Sequence, residues 1–224
     1  MNVCFIITSY IYCSSEPFEN NINRSCYSVE ERLEQTYMTI KSIRQYCPGA
    51  EIMLVDNGCK DPAAFLRDKV EKYLFIGKYN VARWAASYTN KGLGEAVAIL
   101  YALPHVKCYD FIIKLSGRYL LNEKFDLSAW DKSAINFKHN TLILGTDFTE
   151  RKNYQYGSHC TVLYGFPRKL FWKAYWRYIL SLPILLTPRS VELVFPFMFR
   201  KPIYYLSEIG ATGKLSVTGQ SHSW

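Results

Sequence analysis

The stretch Ala50-Glu51-Ile52-Met53-Leu54-Val55-Asp56-Asn57-Gly58 is typical of a buried β-strand that ends in a polar turn. Its apolar run is unbroken, as in strands that are covered on both faces of a parallel sheet. A second run of this kind, Val3 to Thr8, lies earlier in the chain. The segment between the two runs is helical in pattern, so the sequence predicts two parallel strands joined by a crossover helix.

This crossover helix has clear signals at both ends. Ser28 is followed three residues later by Glu31, which is the capping-box signature, and Pro48-Gly49 stops the pattern. Residues at helical spacing lie between them: Val29, Leu33, Tyr37, Ile40, Ile43 and Cys47. A helix is therefore predicted from Ser28 to Cys47.

Strands and helices continue to alternate along the chain. Further helices are predicted from Asp61 to about Val70, from Gly92 to Leu103 with Pro104 ending it, from Pro167 to Ser181 and from Ser190 to Phe199. Further strands are predicted at Tyr73–Ile76, Tyr109–Leu115, Thr141–Gly145 and Thr161–Phe166, and residues 210–219 are predicted as loop. The pattern indicates one α/β domain over residues 1–224 with a doubly wound, mostly parallel sheet, whose ligands gather beyond the carboxyl ends of the strands.

The composition narrows the classes of partner. The chain of 224 residues has a net charge of +8, which suits a polyanion such as nucleic acid, anionic lipid head groups or a nucleotide diphosphate. Its seven cysteines show no metal-ligand spacing, and no secretory leader precedes them, so we expect a reduced, cytoplasmic protein. The apolar stretch 178–199 is interrupted by prolines and charges, which disfavours a membrane-spanning helix.

Basic and aromatic residues interleave between Arg168 and Tyr178. Two interpretations stay open. The segment is either a solvated helix whose aromatic residues are partly core, or a surface that contacts a membrane or a lipid-linked acceptor.

Three polar segments are expected at the ligand edge of the sheet. Asp56 and Asn57 end one strand, where a carboxylate can accept hydrogen bonds from a ribose or a base, although Asp-Asn-Gly is also a good turn. Lys91 and Gly92 lie at a helix N-terminus that suits a phosphate. In the third segment, Lys114 to Tyr119, two cations bracket Gly117 and suit a diphosphate. The alternative is that Lys114 or Arg118 pairs with Asp56, Asp110 or Asp147 as part of the scaffold.

The order of these segments resembles GT-A glycosyltransferases over roughly residues 1–125. The resemblance implies a GT-A α/β/α sandwich, with a nucleotide-sugar half at 1–125 and an acceptor-side half at 126–224. It also implies donor contacts from these residues: Thr8, Ser9, Asp56, Asn57, Lys91, Gly92, Lys114, Ser116, Gly117 and Arg118. Ser116-Gly117-Arg118 stands where that family carries the metal-binding Asp-x-Asp motif, and Lys114 to Tyr119 is similar to the Lys-Leu-Thr-Gly-Arg-Tyr pattern of bacterial and viral polysaccharide-type transferases.

The missing Asp-x-Asp motif has a chemical consequence. Arg118 and Lys114 together can offset the charge of a leaving diphosphate, so we expect no required metal cofactor. Mn²⁺ or Mg²⁺ is the alternative, with Asp56, Asp147 and His222 as reserve ligands; His222 resembles a histidine that GT-A members use for the cation.

Acceptor-side residues follow from the same resemblance. Glu192 is the candidate base of an inverting hexosyl- or deoxyhexosyltransferase, although it also fits the first turn of a helix, and Asp147 is a second catalytic candidate. Tyr119 and His159 are candidates for acceptor binding. The expected partners are a UDP-, GDP- or dTDP-sugar and a glycan or lipid-linked acceptor.

Two other functions fit parts of the sequence. A sugar-phosphate nucleotidyltransferase needs acidic metal ligands and a glycine-rich loop near the N-terminus, and residues 8–15 supply neither. A basic nucleic-acid-binding domain would use Lys91, Lys114 and Arg118 on phosphates and tyrosines on bases. We expect no nucleic-acid partner if the transferase interpretation holds.

Overall fold

The computed structural model describes residues 1–14, 25–140, 158–187, 189, 191–199, 202–214 and 221–223. The strands in this part of the chain are β1 (Val3–Ser9), β2 (Glu51–Asp56), β3 (Lys72–Phe75), β4 (Phe111–Ser116), β5 (Tyr119–Leu121), β6 (Ile135–Asn140), β7 (Ser158–His159), β8 (Leu163–Pro167), β9 (Ile203–Leu206), β10 (Ala211–Lys214) and β11 (Ser221–Ser223). The helices are α1 (Val29–Tyr46), α2 (Ala63–Leu66), α3 (Asn80–Ser87), α4 (Lys91–Val106), α5 (Phe171–Leu185) and α6 (Val191–Met198).

The large sheet runs in the order β3-β2-β1-β4-β8-β6-β7, and β9 also pairs with β6. The first four strands are parallel, with Ile7 opposite Leu54 on β2 and opposite Leu115 on β4. β8 returns antiparallel to β4, and β6 is antiparallel to β8. The predicted class, an α/β protein with a mostly parallel central sheet, is confirmed.

Helices cover both faces of this sheet. Phe5 and Ile7 point to the face that packs against α1 and α2, whereas Cys4 and Ile6 point to the face that packs against α3 to α6. Successive residues of a strand alternate between faces, so an unbroken apolar run is needed when both faces are buried. This explains why β1 and β2 show no polar alternation.

The crossover helix α1 begins where its signals indicate. Ser28 accepts a hydrogen bond from the backbone N–H of Glu31, and the Glu31 carboxylate accepts one from the backbone N–H of Ser28, so the capping box is complete. The helix ends at Tyr46, just before Pro48-Gly49.

Two helices extend past their predicted ends. Pro104 lies inside α4, which continues to Val106, and Pro183 lies inside α5, which continues to Leu185. A proline removes one helical hydrogen bond. Burial of Leu103, Val106 and Leu185 in the core offsets that loss, which the local sequence does not reveal.

A second, three-stranded sheet corrects the prediction of a loop at residues 210–219. Ala211–Lys214 forms β10, which pairs antiparallel with β5 on one side and with β11 on the other. The segment is rich in residues with low strand propensity, and it becomes a strand because β5, far earlier in the chain, offers its backbone. Residues 215–219 lie outside the described part of the chain, as does the predicted strand Thr141–Gly145.

Candidate functional site

A cleft opens at the carboxyl ends of β1, β2 and β4, between α1 and α4. It has a volume of about 850 Å³ including its open mouth. Its walls are formed by residues 8–11 at the end of β1 and residues 116–118 at the end of β4. Helix α1 contributes Arg32, Gln35 and Thr36, and the opposite wall contains Asn57 after β2, Ala86 on α3, and Lys91, Gly94, Glu95 and Ala98 on α4. The site therefore lies where the sheet topology predicts a ligand site.

Arg118 is the cation at the end of β4. Its Nε–H is buried and donates to no atom of the described chain, while its guanidinium lies 5.3 Å from the centre of the Tyr119 ring. A buried donor without an acceptor is costly and rare in folded proteins. Arg118 is therefore suited to receive an anionic ligand in the cleft.

Arg32 is a second arginine in the cleft, and it was not among the residues predicted from the sequence. Its Nε donates to Ser25 Oγ at 3.2 Å, and its guanidinium also donates to the carbonyl oxygen of Tyr10. Burial lowers the pKa of Arg32, and the charge of Arg118 lowers it further. One signal was present in the sequence: Arg32 is in the first turns of the crossover helix, which begins at the ligand edge of the sheet.

Lys114 lies below the cleft and does not line it. Its side chain is 1% exposed, and its Nζ donates to Glu95 Oε1 at 2.8 Å, Ser116 Oγ at 2.7 Å and the carbonyl oxygen of Thr161 at 2.6 Å. An ammonium group has three N–H donors, and all three are used within the protein. Burial lowers the pKa of Lys114, while the Glu95 carboxylate opposes that change.

This placement corrects the expectation that Lys114 contacts a diphosphate directly. The alternative, in which Lys114 pairs with a carboxylate of the scaffold, describes its geometry better, although the partner is Glu95 and not Asp56, Asp110 or Asp147. Ser116 and Glu95 both line the cleft, so Lys114 orients two groups that a ligand can reach.

Asp56 is also fully buried. Its Oδ2 accepts from Ser9 Oγ at 2.7 Å and from the backbone N–H of Ile11 at 3.0 Å, and its Oδ1 accepts from the N–H of Gly58 at 2.9 Å. Burial raises the pKa of Asp56, and these three hydrogen bonds oppose the rise. The carboxylate fixes the turn after β1 and the turn after β2 through these bonds. Its oxygens are therefore not free for the expected contact with a ribose or a base.

The neighbouring polar residues do face the cleft. Thr8, Ser9, Asn57, Ser116 and Gly117, which the sequence suggests as donor contacts, line it. Asn57 Nδ2 also donates to the carbonyl oxygen of Gly94 at 3.2 Å, which joins the end of β2 to α4.

The N-terminus of α4 contributes Lys91 to the cleft rim. Asn90 caps this helix by accepting a hydrogen bond from the N–H of Gly92 at 2.9 Å. Gly92 itself is buried, and a Cβ there would lie 2.7 Å from Val191 and 3.2 Å from Leu185. The amide of Gly92 is therefore occupied by the cap, and its lack of a side chain serves the contact with α5 and α6.

The acceptor-side candidates are less closely grouped. Glu192 accepts a hydrogen bond from Thr161 Oγ1 at 3.1 Å, and the carbonyl of Thr161 binds Lys114, so Glu192 is connected with the cleft through two residues. Tyr119 is buried beside Arg118, and burial raises the pKa of its phenol. Asp147 lies outside the described residues, and so do the side chains of His159 and His222, whose backbones belong to β7 and β11.

The described side chains include no group of three or more His, Cys, Asp or Glu residues arranged to hold a metal ion. Among the described helices, none has the length and apolar character needed to cross a lipid bilayer.

Comparisons with known proteins give a fold and no close relative. No protein-family model matches the chain, and no curated protein matches it. Several solved structures do match the chain.

The chain is similar over 92% of its length to the bifunctional glycosyltransferase WbbM, with a TM-score of 0.56 and 10% identity. The galactosyltransferase LgtC, solved with donor and acceptor sugar analogues, gives a TM-score of 0.51 and 10% identity, also over 92% of this chain.

A third structure, the glycosyltransferase GlyE of Streptococcus pneumoniae TIGR4, gives a TM-score of 0.52 at 8% identity. The chain has the GT-A fold. It spans 38% of the WbbM chain, 45% of the GlyE chain and 73% of the LgtC chain. At these identities the likeness carries the fold alone, and activity has to be argued from the site.

Proposed function

We propose that this protein is a glycosyltransferase that moves a sugar from a nucleotide donor to a glycan or lipid-linked acceptor. One observation carries the proposal: a cleft at the carboxyl edge of a GT-A sheet contains two arginines from different elements, Arg32 and Arg118. Glu95 is the acidic side chain that lines the described walls with them, and it is paired with Lys114. The cleft therefore favours an anion.

A nucleotide diphosphate fits this charge arrangement. The Arg118 guanidinium can bind phosphate oxygens through two parallel hydrogen bonds, and its unpartnered Nε–H supplies one donor for such a pair. Arg32, two of whose nitrogens already donate to Ser25 and Tyr10, adds a second positive charge. Arg32 and Arg118 line the same cleft, so one diphosphate can meet both.

We further propose that transfer needs no metal ion. The acceptor hydroxyl oxygen would form a bond to the anomeric carbon, and the bond from that carbon to the diphosphate oxygen would break with its electron pair. Negative charge then grows on the leaving nucleoside diphosphate, where Arg32 and Arg118 would stabilise it. The Ser-Gly-Arg sequence in place of Asp-x-Asp supports this division of roles.

The proton of the acceptor hydroxyl needs a base. We propose Glu192 for this role and inversion at the anomeric carbon, as in direct displacement. Its hydrogen bond with Thr161 would fix the orientation of the carboxylate.

Donor binding tests the proposal. Isothermal titration with UDP, GDP, dTDP and CMP and their sugars should reveal one preferred nucleotide diphosphate, with the same affinity in chelator. Arg118→Ala should weaken that affinity about tenfold or more, because a hydrogen bond to a charged group is worth roughly 1.5–3 kcal/mol. Arg118→Lys should keep only part of the wild-type affinity, since an ammonium group lacks the planar pair of donors that a guanidinium has.

Arg67→Ala is the matched control, because Arg67 lies outside the cleft near the Tyr73 ring and should leave the affinity unchanged. Strict dependence of transfer on Mn²⁺ or Mg²⁺ would overturn the metal-free mechanism. Equal nucleotide affinity of Arg118→Ala and wild type, or stronger binding of oligonucleotides than of nucleotide diphosphates, would overturn the proposed site.

A further inference from the structure

The outer side of α5 exposes a stripe of large apolar side chains. Trp172, Trp176 and Leu180 are 65%, 57% and 54% exposed. They are spaced four residues apart, so they lie on one side of the helix. Tyr178 and Ala174, which point to the opposite side, are fully buried. Placing two tryptophans in water is unfavourable unless something covers them.

The stripe continues beyond the end of α5. Leu186 is exposed, and its carbonyl oxygen accepts a hydrogen bond from Tyr88 Oη at 2.8 Å. The Tyr88 ring lies 5.3 Å from that of Trp84, which is also exposed. We call this surface the aromatic face and define it by Trp84, Trp172, Trp176, Leu180 and Leu186.

The chain segment around α5 is basic. From residue 158 to residue 187 the sequence contains no Asp or Glu, whereas it contains Lys or Arg at four positions. Arg168 and Lys169 are exposed in the turn that leads into α5, and Lys173 and Arg177 lie half-buried on the helix itself. This is the pattern of a helix that rests in the plane of an anionic bilayer surface, with tryptophans at head-group depth and cations on the lipid phosphates.

We infer that the aromatic face docks this protein on an anionic lipid membrane. The tryptophans would leave water for the interface, and Arg168 and Lys169 would meet the negative surface potential. The combination of basic residues with tryptophans favours an anionic membrane as the partner, because the tryptophans need an apolar layer and the cations need a dense negative charge beside it.

The aromatic face also lies next to the candidate cleft. Asn90 Nδ2 donates to the carbonyl oxygens of Thr187 at 2.9 Å and Arg189 at 2.7 Å, so the end of α5 is joined to the N-terminus of α4. The next residue, Lys91, lines the cleft rim. A docked molecule would therefore hold the cleft close to the lipid surface, where a lipid-linked acceptor is available. This last consequence rests on the proposed function, whereas docking does not.

Vesicle co-sedimentation in the absence of any nucleotide tests the inference. Wild-type protein should sediment with vesicles of phosphatidylcholine mixed with phosphatidylglycerol, and hardly with phosphatidylcholine alone. Trp172→Ala with Trp176→Ala should lower the partition constant roughly tenfold or more, because both buried apolar areas are lost. Arg168→Gln with Lys169→Gln should lower it and weaken its salt dependence.

Matched controls are Phe65→Ala, an exposed aromatic residue on α2, and Lys41→Gln with Lys107→Gln, two exposed cations on α1 and next to α4. These variants should bind like wild type. The inference is overturned if wild type ignores the anionic vesicles at low salt, or if the tryptophan pair binds unchanged. It is also overturned if light scattering shows that the tryptophan pair only separates a dimer, because the face would then join two copies of this chain.

Arg118→Ala separates this inference from the proposed function. It should lose nucleotide affinity and keep vesicle binding. Vesicle binding without any nucleotide affinity in wild type would contradict the transferase and leave docking intact.

Discussion

Lys114 and Arg118 lie four positions apart at the end of β4, yet their surroundings differ completely. Lys114 points into the protein and has three hydrogen-bond acceptors around it. Arg118 has a buried Nε–H that donates to no atom in the described residues. The same kind of charge is therefore satisfied by the scaffold at one position and available to a ligand at the other.

Lys114→Met is expected to lower the free energy of unfolding by about 3–5 kcal/mol, because the Glu95 carboxylate loses its buried partner. Urea unfolding followed by circular dichroism measures this. Adding Glu95→Leu should recover a large part of the lost stability, since no carboxylate is then left without its cation. Lys107→Met, at an exposed position, should change stability by less than about 0.5 kcal/mol. A stable Lys114→Met variant that loses nucleotide affinity would instead mean that Lys114 contacts the ligand.

Glu192→Gln is expected to lower kcat by about a hundredfold or more while leaving nucleotide affinity within a factor of about two, because the amide still accepts from Thr161 but no longer takes a proton. Turnover of the preferred nucleotide sugar and titration calorimetry measure the two effects. Glu123→Gln, an exposed carboxylate, serves as the control. Turnover of Glu192→Gln equal to wild type would remove Glu192 from the mechanism.

Helices α1 and α4 shape the cleft. The capping box at Ser28 fixes the start of α1, which carries Arg32, and the Asn90 cap fixes the start of α4, which carries Lys91. Helix α4 also has to approach α3 closely. A Cβ at Gly94 would lie 2.9 Å from the backbone Cα of Ala86, a contact that side chains do not tolerate.

Gly94→Ala is therefore expected to lower the free energy of unfolding by about 1–3 kcal/mol, since α3 has to move away from α4. The cleft wall would shift with it, so nucleotide affinity should fall as well. Gly49→Ala is the matched control, because a Cβ there meets no atom within 4 Å. Equal stability of the two variants would show that the α3–α4 contact yields without strain.

The molecule as a whole is held together by strand pairs that join its two halves. β4 pairs with β8 in the large sheet, and β5 pairs with β10 in the small one. Each pair joins a strand from residues 1–125 to a strand from residues 126–224. Neither half has a sheet that is complete without the other.

We accordingly expect one cooperative unfolding transition. Far-ultraviolet circular dichroism and tryptophan fluorescence should give the same urea midpoint for the whole chain. A fragment of residues 1–125 should stay unfolded or aggregate, because β4 would expose a long apolar edge. Two separate midpoints, or a monomeric fragment with a sharp transition, would mean that the chain contains two domains.

The sequence alone was sufficient for features that depend on nearby residues. The apolar runs of β1 and β2 and the capping box of α1 could be predicted, because periodicity and caps act over short distances. It did not predict α3, whose eight residues carry no capping side chain. Strands β5, β6 and β9 were also not predicted, because each is defined by its pairing partner.

The tertiary structure decided what each charged residue at the site does. Lys114 and Arg118 look alike in the sequence, and Arg32 looks like an ordinary residue on a helix surface. Only folding brings Glu95 and Thr161 to Lys114, and brings Arg32 beside Arg118 in the cleft. The reason is physical: whether a buried cation is satisfied depends on acceptors that arrive from distant parts of the chain.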